Sequence, residues 1–263
     1  FKDLRSRFMK LFHKIYSNSK SNDYLIILHG LFGMLDNWHH MARKLSEHIN
    51  VVSVDQRNHG QSPHSKKMSF ELMADDLSEL MEDLAIEKAI VLGHSMGGKT
   101  AMKFADLHPD KMEKLIVVDI APKQYKSGHQ AYFNAFNTIN FSQFNTRKEA
   151  DAALAQIEPI PAIRQFLLKN LEKAEPGYAL KFNLHTIEAF YPAMIDELKF
   201  QWLISVPTLF LYGERSGYIT ENDKLSIEET FTDVEFVGIP DAGHWVHAEQ
   251  PDAFYEVVSN FLQ

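Results

Sequence analysis

The chain contains no cysteine, which excludes disulfides, thiolate metal ligands and a cysteine nucleophile and is compatible with a reducing cytosol. A cytoplasmic location is the expectation. No apolar run approaches the roughly 20 residues that a membrane-crossing helix requires, so no membrane span is expected. Basic residues are in deficit as well: 27 Lys and Arg face 35 Asp and Glu, for a net charge of -8. Without a basic surplus to neutralise phosphates, nucleic acid is not an expected partner. Histidines are present, but His39-His40, His59 and His64 lack the histidine and carboxylate spacing of a metal centre, and neither a metal nor a cofactor is expected. Internal repeats and low-complexity stretches are missing too.

What is there has the balance of a folded domain, with 45% hydrophobic and 24% charged residues. A length of 263 residues suits one α/β core carrying an insertion. Near the start, Lys2, Arg5, Arg7, Lys10 and Lys14 alternate with Phe1, Leu4, Phe8, Leu11, Phe12 and Ile15. One reading is a basic amphipathic or organelle-targeting segment. The preferred reading takes Met9 as the natural start, residues 1–8 as left over from expression, and 11–16 as an edge strand.

The chain is organised around Val91-Leu92-Gly93-His94-Ser95-Met96-Gly97-Gly98. It reads as a buried strand, an abrupt turn bearing one serine, and the first turn of a helix that runs on through 99–107 and stops at His108-Pro109. A serine held in so sharp a corner needs hydrogen in place of a side chain two positions to either side, and Gly93 and Gly97 supply it. Ser95 is therefore the candidate nucleophile.

Strand and helix alternate on both sides of that corner. The run Tyr24-Leu25-Ile26-Ile27-Leu28 predicts a central strand buried on both faces. A helix over 37–48, with Asp36 or Asn37 as its cap, leads to a strand over 51–55 and a helix over 69–84. Strands follow over 88–92 and 115–120, the latter stopped by Ala121-Pro122. Helical periodicities then take over at 132–139, 148–157, 163–171 and 186–195, interrupted by a strand-like 178–182. The sheet pattern resumes at 207–213 and 234–237, and an amphipathic helix over 251–262 closes the chain. The expected architecture is a mostly parallel sheet with helices on both faces. Its core is formed by 1–122 and 204–263, and 123–203 forms a mainly helical cap.

In such sheets ligands sit beyond the carboxyl ends of the strands, where Ser95, Asp119 and His244 all fall. A histidine can take the serine proton and return it to the leaving group, and an adjacent acid fixes its tautomer. The order Ser, Asp, His is that of α/β-hydrolases. The strings His29-Gly30-Leu31-Phe32-Gly33, Asp55-Gln56-Arg57-Asn58-His59-Gly60, Ser62-Pro63-His64, Gly93-His94-Ser95-Met96-Gly97-Gly98-Lys99-Thr100 and Val118-Asp119-Ile120-Ala121-Pro122 resemble the bacterial YbfF-type esterases and their mitochondrial abhydrolase relatives. The resemblance runs from Leu11 to the C-terminus and is weakest in the insertion. It implies an α/β-hydrolase core with a helical cap and serine esterase activity on acyl esters or acyl-CoA thioesters.

Many superfamily members carry the acid shortly after the strand ending at Gly213, but Ser216 stands at that position. Asp119 is the replacement that the resemblance favours, with Glu214 as rival and Ser216 as a hydrogen-bond partner of His244. The oxyanion donors are expected to be the backbone amides of Met96 and, by resemblance, Leu31 rather than Phe32. Leu31, Phe32 and Met96 together suggest an apolar acyl-binding wall. His29 and His94 are expected to brace loops, the turn 55–60 to hold them, and His247, the rival base, to lie in the approach to the last helix. The insertion aromatics Tyr132, Phe133, Phe136, Phe141, Phe144, Phe166, Phe182, Phe190 and Tyr191 read first as packing and only then as an acyl channel.

The expected function is a cofactor-free serine carboxylesterase working on a small-molecule acyl ester. An acyl-CoA thioesterase is the alternative, followed by a carbon–carbon hydrolase or lyase and a non-catalytic ligand-binding module. A haloalkane dehalogenase is disfavoured, because it needs a carboxylate where Ser95 stands.

Overall fold

The computed structural model describes residues 9–263; both readings of residues 1–8 fall outside the described residues. Seven strands form one sheet: β1 (His13–Tyr16), β2 (Tyr24–Leu28), β3 (Asn50–Val54), β4 (Ala89–His94), β5 (Met112–Val118), β8 (Thr208–Gly213) and β9 (Val234–Ile239). Their order is β1-β3-β2-β4-β5-β8-β9, and every pairing is parallel except that of the edge strand β1 with β3.

Side chains of a strand point alternately to the two faces, and here the alternation feeds two separate cores. Ile26, Leu28, Val52, Val54 and Val91 face a cluster that includes α2 (Phe70–Asp83) and α3 (Met96–Leu107). Leu25, Ile27, Val51, Ile90 and Leu92 face a second cluster with α1 (His39–Leu45) and α10 (Pro251–Leu262). A sheet covered on both faces needs apolar residues at odd and even positions alike, which is why its central strands read as unbroken runs. Short helices α8 (Glu221–Glu228) and α9 (Val246–Glu249) flank β9.

Between β5 and β8 the chain makes α4 (Gln130–Thr138), α5 (Arg147–Leu154), α6 (Pro161–Leu168), the two-stranded β6 (Leu171–Lys173) and β7 (Tyr178–Leu180), and α7 (Leu184–Ile195). The insertion shares the first core: Phe133, Phe136 and Phe182 surround the ring of Phe32, with centroids 5.2–5.3 Å away. Its two ends run side by side as a neck, with Tyr125 N–H donating to Ile195 O and Leu198 N–H to Pro122 O, both at 2.7 Å.

Three local expectations change. The helix expected over 163–171 stops at Leu168, and Leu171–Lys173 instead pairs antiparallel with Tyr178–Leu180. The buried Asn170 ends it, because its side-chain amide donates to Leu167 O and Phe32 O, a local alternative to continued helix. The first helix is also shorter than expected. Residues Leu35–Asn37 form a separate 3₁₀ turn, and Asn37 Oδ1 accepts from Met34 N–H instead of capping α1. Finally, β5 ends at Val118, because Asp119 turns out of the strand at φ 50°. No helix among the described residues is long and apolar enough to cross a membrane.

Candidate active site

Strand β4 delivers Ser95 to a corner at φ 53° and ψ -119°, a conformation that L-residues rarely adopt. The corner is fastened by Ser95 N–H donating to Val118 O at 3.0 Å and by Ser95 O accepting from Gly98 N–H at 2.8 Å. A Cβ on Gly93 would come within 2.1 Å of Gly97 O, and one on Gly97 within 2.4 Å of Leu28 O. Both glycines are therefore required where β4, α3 and β2 cross, as the spacing predicted. Met96 opens α3, so its N–H has no intrahelical acceptor and points out of the positive end of the helix dipole. The loop after β2 passes alongside, with the Cβ position of Gly30 only 3.2 Å from Ser95 Cβ.

Asp119 follows β5 and is fully buried. Its carboxylate accepts three hydrogen bonds: from Gly213 N–H at 3.2 Å on Oδ1, and from Ser216 Oγ at 2.5 Å and His244 Nδ1 at 2.7 Å on Oδ2. Because a carboxylate only accepts, Nδ1 is the donor in this pair, and Nε2 is the ring nitrogen that does not face the acid. Ser216 thus bonds the acid; the expected bond to His244 is not the one its hydroxyl makes, since both groups converge on the same carboxylate oxygen. Glu214, the rival acid, is exposed.

Histidines brace this arrangement. His94 Nε2 donates to His244 O at 2.8 Å. Burial, followed by the charge of His244, holds its pKa well below the usual range, so it braces as a neutral ring. His29 donates from Nδ1 to Gly30 O at 2.8 Å and accepts from Gln56 N–H on Nε2 at 3.0 Å, tying the loop after β2 to the turn 55–60. Burial and then His59 lower its pKa to about 3. The turn itself is fixed by Asp55, which accepts from Leu35 N–H at 2.7 Å and Gln61 N–H at 2.8 Å, and by the buried Arg57–Asp76 pair at 2.5 Å. His247 lies in α9 with its ring stacked on Trp38, centroids 3.9 Å apart, away from the Asp119 carboxylate.

A cavity of about 340 Å³ adjoins Ser95. Leu31 and Met96 line it, whereas Phe32 is turned into the aromatic packing of the insertion. Of the insertion aromatics singled out in the sequence, Tyr191 lines the cavity and Phe133, Phe136 and Phe182 pack as core.

Comparison with known proteins agrees with this fold. A family model described as the alpha/beta hydrolase fold matches residues 23–251. The chain belongs to the α/β-hydrolase family. It is 36% identical to esterase YbfF of Escherichia coli, over 93% of this chain and 95% of that one. It is also 36% identical to the sn-1-specific diacylglycerol lipase ABHD11 of Danio rerio, over 97% of this chain and 83% of that one. A solved marine microorganism esterase superposes with a TM-score of 0.93 at 42% identity, covering 96% of this chain and 99% of that one. The protein is an ester hydrolase of this family.

Within this α/β-hydrolase the structure adds Tyr125, Tyr218 and His129, which spacing alone did not single out, and joins Tyr191 to them. Tyr218 stacks on the His244 ring, centroids 4.1 Å apart and 19° from parallel. Tyr125 supports it by donating to Tyr218 O at 2.9 Å while accepting from Ala121 N–H at 2.7 Å. Opposite them, the Tyr191 hydroxyl accepts from the backbone N–H groups of Gly128 and His129 and meets His129 Nδ1 at 2.9 Å. With both phenol lone pairs used, its proton goes to Nδ1, and the neutral His129 keeps its own on Nε2. Burial, then His244, lowers the His129 pKa to about 4. No motif marks a lone tyrosine or histidine for such work; these contacts exist only once the insertion lies against the strand ends.

Proposed function

We propose that this ester hydrolase works through an acyl-enzyme on Ser95, with His244 as base, Asp119 as its acid partner, and the Leu31 and Met96 amides as the oxyanion hole. Ser95 Oγ attacks the ester carbonyl carbon while its proton passes to His244 Nε2. The carbonyl oxygen becomes an oxyanion facing the two amides. As the tetrahedral species collapses, the carbon–oxygen bond to the alcohol breaks and His244 returns the proton to the departing oxygen. Water then repeats the sequence on the acyl-enzyme, releasing the acid and restoring Ser95. No step requires a cofactor. The insertion, residues 123–203, acts as the cap that walls the acyl group from solvent.

The observation that carries this reading is the 2.7 Å bond from His244 Nδ1 to a fully buried Asp119. It supports an imidazole presented with Nε2 unprotonated, and a carboxylate beside it steadies the imidazolium formed during attack. The names of the relatives, esterase and diacylglycerol lipase, favour oxygen esters of small molecules as substrates.

Covalent labelling by a fluorophosphonate tests the assignment directly. Wild-type protein should gain one label, and Ser95→Ala should gain none. A folded wild type that takes up no label would remove the activated serine. Turnover of acyl esters and acyl-CoA thioesters of matched chain length then separates an esterase from a thioesterase.

A further inference from the structure

A cavity opens to solvent where its lining does. Of the residues around the cavity beside Ser95, only Lys126 and Gly217 are exposed; Leu31, Met96, Lys99, Tyr191 and Met194 are buried. The mouth therefore lies between the segment 126–129 and Gly217. Two glycines flank it, and they differ in kind from those of the serine corner. A Cβ on Gly128 or Gly217 would meet nothing within 4 Å, and neither residue adopts a positive φ. Neither the backbone nor the packing demands glycine there.

The neck on the other side of the cavity is closed by charge. Lys99 is 1% exposed, and its ammonium donates to Lys123 O at 3.1 Å, Met194 O at 3.2 Å and Asp196 O at 2.5 Å. One residue of the core helix α3 thus spends all three donors on the two ends of the insertion. Lys103, also on α3, donates to Lys199 O, and the Lys123 side chain pairs with Asp223 at 2.5 Å. Swinging the insertion about this neck would strip a buried ammonium of its charge-assisted hydrogen bonds, which is costly.

We propose that substrates reach Ser95 through the gap between residues 126–129 and Gly217 while the neck stays closed, and that the absent side chains at Gly128 and Gly217 set the width of group that passes. The proposal rests on the acyl-enzyme reading above, and its test separates the two. Gly217→Phe and Gly128→Phe add a ring at the gap from a Cβ that meets nothing within 4 Å. In each, kcat/KM for 1-naphthyl acetate should fall about tenfold or more relative to ethyl acetate, the scale on which pockets discriminate by size. A ratio unchanged in both variants would overturn the portal.

The neck is tested by exploiting the lack of cysteine. Gln124 Nε2 donates to Asp196 Oδ1 at 3.1 Å across it, and both residues are exposed. The pair Gln124→Cys and Asp196→Cys, joined by oxidation or by a short bis-maleimide where the thiols stay free, locks the two ends together. Turnover within about twofold of the uncrosslinked protein is expected; loss on locking would show that the neck must open. Fluorophosphonate labelling is run alongside. If wild type does not label, the acyl-enzyme reading fails; if it labels while the ester ratio ignores both phenylalanines, the portal alone fails.

Discussion

Asp119 meets three demands at once. It leaves its strand at φ 50°, it is buried with no Lys or Arg paired to it among the described residues, and its carboxylate gathers three donors. An amide in its place keeps the shape but loses the charge that steadies an imidazolium, and it can donate to His244, which selects the wrong tautomer. Asp119→Asn should therefore lower kcat by roughly 10² to 10⁴. Ser216→Ala keeps the charge and removes one of the donors, and about a tenfold loss is expected, the worth of one hydrogen bond to an ionised group. Both are read from kcat on a single acyl ester. An Asp119→Asn protein within a few-fold of wild type would move the acid elsewhere. The approach of His244 to Asp119 was legible because both fall beyond strand ends, where such sheets gather their ligands, in the order that the chemistry uses. The partner of Ser216 was not legible. Two atoms of one junction compete for its hydroxyl, and only coordinates distinguish the carboxylate oxygen from the ring beside it.

At the scale of elements, the corner between β4 and α3 works because three backbones cross where side chains would collide. Gly97→Ala places a methyl group 2.4 Å from Leu28 O, a backbone atom held in the central sheet that cannot step aside. Overpacking of this kind costs roughly 1–3 kcal/mol or more. The variant should melt several degrees below wild type by circular dichroism and lose turnover with the displaced serine, whereas Gly128→Ala should melt with wild type. Equal melting of the two alanine variants would mean that the crossing is looser than the distances say. Legibility followed the same physics. The doubly buried strands announced themselves as unbroken apolar runs, and glycine spacing located the corner. The boundary between α6 and β6 did not, because it depends on Asn170 reaching Phe32 O across the molecule, a contact far apart in sequence.

Taken whole, the molecule buries imidazoles around the proposed catalytic centre. Burial lowers the pKa of His29 and His247 to about 3 and of His59 and His129 to about 4. Below the unperturbed value of about 6.5 the unfolded chain binds protons at these positions and the folded chain does not. Stability must then fall as pH falls, through the window from about 6.5 down to about 4, and these groups contribute no slope above it. Asp55 and Asp76 work the other way. Burial raises their pKa, so the folded state takes up their protons first and their contribution favours folding on acidification. The buried histidines should therefore leave the melting temperature unchanged near pH 7 and lower it between about 6.5 and 5. His247→Phe isolates one contributor, since a phenyl ring can keep the stack on Trp38 without titrating. Its decline should be shallower by about one proton, with most turnover retained because His244 is the proposed base. A variant whose melting follows pH as steeply as wild type would show that His247 is protonated in the folded protein, and one that loses turnover would return it to contention as the base.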